Sequence, residues 1–121
     1  MQKIIVLVVD DNLINRLLPT FILKSLHPQV EVFDVTCGQD ALKFIETHHV
    51  THLLLDISMP GIDGIQVAQM IKNKSIFPSI SLIAYTADSS MLDVPYAQCL
   101  GFDDVLLKPV DRYNLFKILG L

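Results

Sequence analysis

Residues 4–11 read Ile4-Ile5-Val6-Leu7-Val8-Val9-Asp10-Asp11. Six apolar residues, most of them β-branched, run without a polar interruption, and two acids end the run. A strand with one wet face alternates apolar and polar residues. A continuous apolar run belongs to a strand covered on both faces, as in a parallel sheet with helices on either side. The acids then mark the strand's carboxyl end.

Working outward, four further runs read as strands: Val30 to Val35, His52 to Leu55, Ile80 to Ala84 and Val105 to Leu107. Helical patterns separate them. Ile14, Leu17, Leu18, Phe21 and Ile22 recur at i, i+3, i+4, i+7 and i+8, the spacing of one helix face. Ala41, Leu42 and Ile45 form a second stripe, Ile65, Ala68 and Ile71 a third, and Leu115, Ile118 and Leu119 a fifth. Asp111 suits the N-cap of that last helix. The segment between Ser89 and Leu100 is weaker. Pro95 forbids a long helix there, so a short one starting near Asp93 is predicted. Pro19 lies inside the first helix, where it removes a hydrogen bond and crowds the preceding turn at a cost of roughly 3 kcal/mol, and a kink is predicted. His27 before Pro28 marks the helix exit.

Five strand–helix repeats predict an α/β fold, a single doubly wound (βα)₅ domain over residues 1–121 with a parallel sheet covered on both faces. In such open sheets, ligands bind at the carboxyl ends of the strands. The residues just after the strands are Asp10 and Asp11, Asp56, Thr86, and Lys108 followed by Pro109. Three acids, a hydroxyl and an ammonium thus gather at one sheet edge, and no apolar core requires them. Carboxylates ~4 Å apart repel by about 1 kcal/mol per pair in water and by ~4 kcal/mol at an effective dielectric near 20. A hard divalent cation reverses that sign, and Mg²⁺ prefers carboxylates shared with a phosphate. A carboxylate is also a competent phosphoryl acceptor. Phosphoryl transfer depends on positioning and charge neutralisation, for which Lys108 and the Thr86 hydroxyl are suited.

Composition narrows the choice. The chain has 121 residues, 51% of them apolar, and a net charge of −4. No apolar run approaches the ~18–20 residues that span a bilayer, and the first run leads into acids rather than into a cleavage site. A soluble, cytoplasmic domain without direct membrane contact is expected. No Lys/Arg run supplies the basic footprint of nucleic-acid binding. Cys37 and Cys99 have no disulfide or metal spacing and read as buried or idle thiols. His48, His49 and His52 bridge a helix end and a strand start, at the edge opposite the acids, where a helix-dipole role outweighs a metal role. None of the four histidines has the setting of a phosphodonor, so a donor is expected on another protein or domain.

Bland readings exist for each piece. Asp10-Asp11 would serve a lone turn as an N-cap, and Lys108 alone would be a solvated charge. Met59-Pro60-Gly61-Ile62-Asp63-Gly64 makes a turn whatever the function. Taken in order at the strand ends, however, the motifs Val8-Val9-Asp10-Asp11-Asn12, Leu53-Leu54-Leu55-Asp56-Ile57-Ser58 with the turn that follows, Ala84-Tyr85-Thr86-Ala87 and Lys108-Pro109 are highly specific. The chain resembles the response-regulator receiver domains of two-component signalling over essentially its whole length.

The resemblance implies a flavodoxin-like sheet in the order 2-1-3-4-5. It implies that Asp56 is the phosphoacceptor, that Mg²⁺ (or Mn²⁺ in its place) is bound by Asp11, Asp10, Asp56 and the backbone carbonyl of Ser58, that Thr86 is the switch hydroxyl, and that Lys108 is the phosphate partner before a cis peptide to Pro109. The implied function is Mg²⁺-dependent acceptance of a phosphoryl group from a phosphohistidine donor, with relay or conformational output. The implied partner is a histidine kinase or histidine phosphotransfer domain, and the implied state a monomer or weak dimer. The domain would be no enzyme with an external product, though it assists its own phosphorylation and dephosphorylation.

Asp10-Asp11-Asn12 with Asn15 and Arg16 looks most like receivers of hybrid sensor histidine kinases, with a membrane-tethered parent then in view. A stand-alone single-domain regulator and a phosphorylation-independent interaction module are the alternatives. One departure stands out. The family's usual aromatic residue three positions before the lysine is Val105 here, so a damped response of the output face is expected. Asp88 is expected to influence the water that hydrolyses the acyl phosphate. A flavin carrier of this fold would need a hydroxyl- and glycine-rich loop where Asp10-Asp11 stand. A dehalogenase-type phosphatase would carry a second Asp at the position of Ser58.

Overall fold

The computed structural model describes residues 3–59, 61–73 and 79–121. Strands and helices alternate in the order β1 (Ile5–Val9), α1 (Leu13–Leu26), β2 (Glu31–Val35), α2 (Gly38–Thr47), β3 (His52–Asp56), α3 (Gly64–Asn73) and β4 (Ser81–Thr86). A 3₁₀ turn at Ser89–Leu92 leads to α4 (Val94–Cys99), β5 (Asp104–Leu107) and α5 (Arg112–Leu119). All strand pairs are parallel, in the order β2-β1-β3-β4-β5. The chain leaves β1 toward one side for β2 and returns to the other side for β3. The switch point therefore lies between the carboxyl ends of β1 and β3.

The continuous apolar runs have the predicted cause. Val6 to Val9, Leu53 to Leu55 and Leu82 to Tyr85 are essentially inaccessible to solvent. Alternation sends Leu7, Val9, Leu53, Leu55, Leu82 and Ala84 into a core with α2, α3 and α4. Val6, Val8, Leu54, Ile83 and Tyr85 enter a second core with α1 and α5. Each fully buried side chain of this size is worth roughly 1.5–3 kcal/mol.

Two strands run further than the sequence pattern indicates. Asp56 closes β3 and Thr86 closes β4, because the ladder continues through Asp56 opposite Tyr85 and Thr86 opposite Leu107. Asp93 caps α4 by accepting from the Tyr96 amide, with Pro95 in the first turn. Asp111 caps α5 in the same way. The Lys108–Pro109 peptide is cis. Pro60 lies outside the described residues, and Gly61 after it adopts φ 78°, which an L side chain resists.

α1 runs as a single element through Pro19, which is itself buried. It departs from expectation in one respect: its apolar stripe is not all core. Leu23 is buried and Leu18 and Ile22 pack beneath the helix, but Ile14, Leu17 and Phe21 are 68, 42 and 71% exposed. Position 19 and position 23 face the sheet, which turns 14, 17 and 21 outward. Of the thiols, Cys37 is half-buried and Cys99 is exposed. No helix among the described residues is long and apolar enough to cross a membrane.

Candidate functional site

The β1 run ends in Asp10, and α1 begins only after a separate cap. Asn12 is that cap, its Oδ1 accepting from the Asn15 amide at 3.0 Å. The two acids before it are thereby released from capping. Asp10 is fully buried and its Oδ1 accepts from the Asn12 amide at 2.9 Å. The loop is fastened from outside by Arg16, which donates to the Asp10 carbonyl at 3.2 Å and pairs with Asp34 of β2 at 2.9 Å.

Asp56 arrives from β3, also buried. One of its carboxylate oxygens accepts from the Ser58 amide at 3.0 Å. The other lies 3.4 Å from Lys108 Nζ. Lys108 stands only 2.7 Å from Asp10 Oδ2. That oxygen makes no well-aligned hydrogen bond, so the pair is held by charge rather than by a directed bond. Lys108 itself is fixed by its own amide, which donates to the Thr86 carbonyl at 2.8 Å. Thr86 is buried, and its Oγ1 accepts from the Asp88 amide at 3.0 Å, which leaves its proton free to be donated.

Strand parity explains the convergence. Asp10 continues the Val6, Val8 side of β1, Asp56 the Leu54 side of β3, and Lys108 the Leu106 side of β5. The ligand oxygens of Asp10, Asp11 and Asp56 lie within 4.8 Å of one another. Among the described residues, this is the one such group of three or more metal-ligating side chains. His48 instead stacks on Phe44 with ring centroids 4.0 Å apart, and His52 pairs with the Thr51 hydroxyl. Three carboxylates against one ammonium leave the pocket short of positive charge, a donor set that suits a hard divalent cation.

Burial pushes the Asp56 carboxyl up to about 6, with the Asp10 charge adding to the rise and the Ser58 amide and Lys108 opposing it. The Asp88 carboxylate accepts from the Ser90 amide at 3.0 Å, and hydrogen bonding to Ser90 holds its carboxyl below the usual range.

Sequence reasoning missed two residues that shape this site. Arg16 was legible only as part of a motif, because its partner Asp34 comes from another strand. Tyr85 was quoted without a role. A buried tyrosine needs an acceptor for its hydroxyl, and the proline in α1 was the signal that an acceptor stood open.

A family model described as the response regulator receiver domain matches residues 6–120. The chain is 34% identical over 109 residues to the CAI-1 autoinducer sensor kinase/phosphatase CqsS of Vibrio cholerae, covering 88% of this chain and 16% of that protein. The chain therefore spans a small part of that relative's length. The receiver domain of sensor histidine kinase PA1611 from Pseudomonas aeruginosa, solved with a magnesium ion coordinated in its active-site cleft, is 28% identical. It superposes with a TM-score of 0.83 over 98% of this chain and 96% of that one. A co-crystal structure of the Saccharomyces cerevisiae histidine phosphotransfer protein Ypd1 with the receiver domain of its downstream response regulator Ssk1 matches at 26% identity and a TM-score of 0.85. It covers 98% of this chain and 87% of that one. Fold, strand-end acids and a family match over nearly the whole chain agree, and this protein belongs to the response regulator receiver domains of two-component signalling.

Proposed function

We propose that the domain accepts a phosphoryl group onto Asp56 from a phosphohistidine donor, in a Mg²⁺-dependent step. The observation that carries this reading is the setting of Asp56, a buried carboxylate between the Ser58 amide and the Lys108 ammonium and within ligand distance of Asp10 and Asp11. The carboxylates of Asp10, Asp11 and Asp56 and the Ser58 carbonyl would hold Mg²⁺, whose chemistry there is to neutralise charge on the acids and the phosphoryl oxygens.

The chain's own groups do the rest. A carboxylate oxygen of Asp56 forms the new bond to phosphorus. The donor's P–N bond breaks, and its electron pair stays on the imidazole nitrogen. Ser58 holds the acceptor carboxylate in orientation, and Lys108 neutralises the incoming phosphoryl group. The Thr86 hydroxyl donates to a phosphoryl oxygen once one is present. Return to the resting state is hydrolysis of the same acyl phosphate, so the domain assists its own turnover and releases no other product.

A histidine kinase or histidine phosphotransfer domain is the fitting donor. Ile14, Leu17 and Phe21 supply an exposed apolar stripe on α1 beside the acidic pocket, a surface of the kind that docks a partner helix. The parent is read as a hybrid sensor histidine kinase working in the cytoplasm. Intact mass after incubation with Mg²⁺ and acetyl phosphate should rise by one phosphoryl group. The gain should vanish in Asp56→Asn and in chelator. If wild-type protein gains nothing and also fails to bind a beryllofluoride mimic, the phosphoacceptor reading is wrong.

A further inference from the structure

Pro19 has no backbone N–H, so the Asn15 carbonyl four residues earlier loses the donor that an ordinary helix provides. Another donor fills that place. The Tyr85 hydroxyl reaches across from β4 and donates to the Asn15 carbonyl at 3.0 Å. Tyr85 is wholly buried. A buried tyrosine hydroxyl needs an acceptor, and the Asn15 carbonyl is that acceptor.

The ring has a second neighbour. Lys108 Nζ lies 5.0 Å from its centroid, inside the range of a cation–π contact. The same ammonium reaches Asp10 at 2.7 Å and Asp56 at 3.4 Å. In the sheet, Tyr85 is paired with Asp56 on one side and Leu106 on the other. A leucine would fill the core here. It would offer neither a π face to the ammonium nor a hydroxyl to the open carbonyl.

We propose that Tyr85 is a positioning residue for the phosphoryl-transfer site: its hydroxyl, anchored on the carbonyl that Pro19 leaves open, fixes the ring, and the ring holds Lys108 against the acids. The functional half of this inference rests on the phosphoacceptor reading; the structural half does not.

The test has an arm for each half. In unphosphorylated protein, the Lys108 Cε protons should resonate upfield of those of the other lysines, because they lie over an aromatic face, and Tyr85→Leu should abolish the displacement. Tyr85→Phe should lower Tm, and that loss should shrink by half or more when Pro19→Ala returns an amide donor to Asn15. Phosphorylation by acetyl phosphate at saturating Mg²⁺ should slow about tenfold in Tyr85→Leu. The same change in a Lys108→Ala background should slow it less than about twofold. A residue that merely fills the core would slow both backgrounds equally, and that result overturns the proposal, as does a Lys108 signal unaffected by the ring. Should Tyr85→Leu not fold, the Tyr85→Phe and Pro19→Ala cycle decides, and an equal Tm loss with and without Pro19 rejects the anchor. If wild-type protein neither takes a phosphoryl group nor binds beryllofluoride, the phosphoacceptor reading fails, while the proton shifts and the Tm cycle still decide the geometry.

Discussion

Asp56 is placed where its own ionisation is opposed. Its carboxyl titrates at about 6 in the folded protein against 3.8 ordinarily, with burial the main cause. The native state therefore holds that proton more tightly than the unfolded chain does. The stabilising effect of the proton is full below the lower value and is lost as pH rises through the higher one. In chelator, Asp56→Asn and wild-type protein should have nearly equal Tm at about pH 4, and the variant should be the more stable at about pH 7. Thermal melts across that range check this, and a gap independent of pH would contradict it. Mg²⁺ should narrow the gap at neutral pH by stabilising the ionised form. Gly64 belongs to the same scale. A Cβ there would drive into the Asp56 carbonyl oxygen and come within 2.8 Å of the Ile57 Cα, both of them backbone. Gly64→Ala should cost ~1–3 kcal/mol in denaturant titration and slow phosphorylation, because the displaced atoms carry the proposed acceptor.

At the scale of elements, α1 is the informative one. One side, with Leu23, Pro19 and Leu18, closes the core. The other shows Ile14, Leu17 and Phe21 to solvent. Leu23→Ala should destabilise by ~2–5 kcal/mol through the cavity it leaves. Ile14→Glu and Phe21→Glu should change stability by no more than ~0.5 kcal/mol. They should slow phosphotransfer from a histidine phosphotransfer protein while leaving phosphorylation by acetyl phosphate unchanged. Comparing the two donors on the same variants separates docking from chemistry; equal rates with the protein donor would refute the α1 surface.

Over the whole molecule, the site edge connects to the α4–β5–α5 face through Thr86 and Lys108. The Lys108 amide bonds the Thr86 carbonyl, and Val105 precedes Lys108 by three residues on β5. Val105 is half-buried against the core. With Leu92, Leu107, Asn114, Lys117 and Ile118 it lines an open groove of ≈ 420 Å³. A valine has no ring to swing between solvent and core, so movement of Thr86 has no large side chain to relocate. Amide shifts on α4, β5 and α5 should thus stay small when beryllofluoride and Mg²⁺ are added, with the large shifts confined to the strand-end loops. Widespread shifts on that face would show that another residue carries the coupling.

The sequence alone determined the α/β architecture, because a both-faces-buried strand such as Val6–Val9 leaves an unbroken apolar run that few other settings produce. It also placed Asp10, Asp11, Asp56, Thr86 and Lys108 at one edge of the sheet, since each follows or closes a strand and parallel strands end together. It marked Asp111 as a cap and put the start of a short helix near Asp93, which is local chemistry. Tertiary structure decided what depends on partners far along the chain. Which side of α1 faces the sheet is set by packing, because a helix with apolar residues on two sides has no unique inward face. The donor that rescues the Pro19 turn comes from Tyr85, 70 residues beyond Asn15. The partner of Arg16 comes from β2, and the closeness of Lys108 to Asp10 depends on four strands, β1, β3, β4 and β5, pairing in register. No local spacing encodes such contacts, since each arises only when separate elements are brought together.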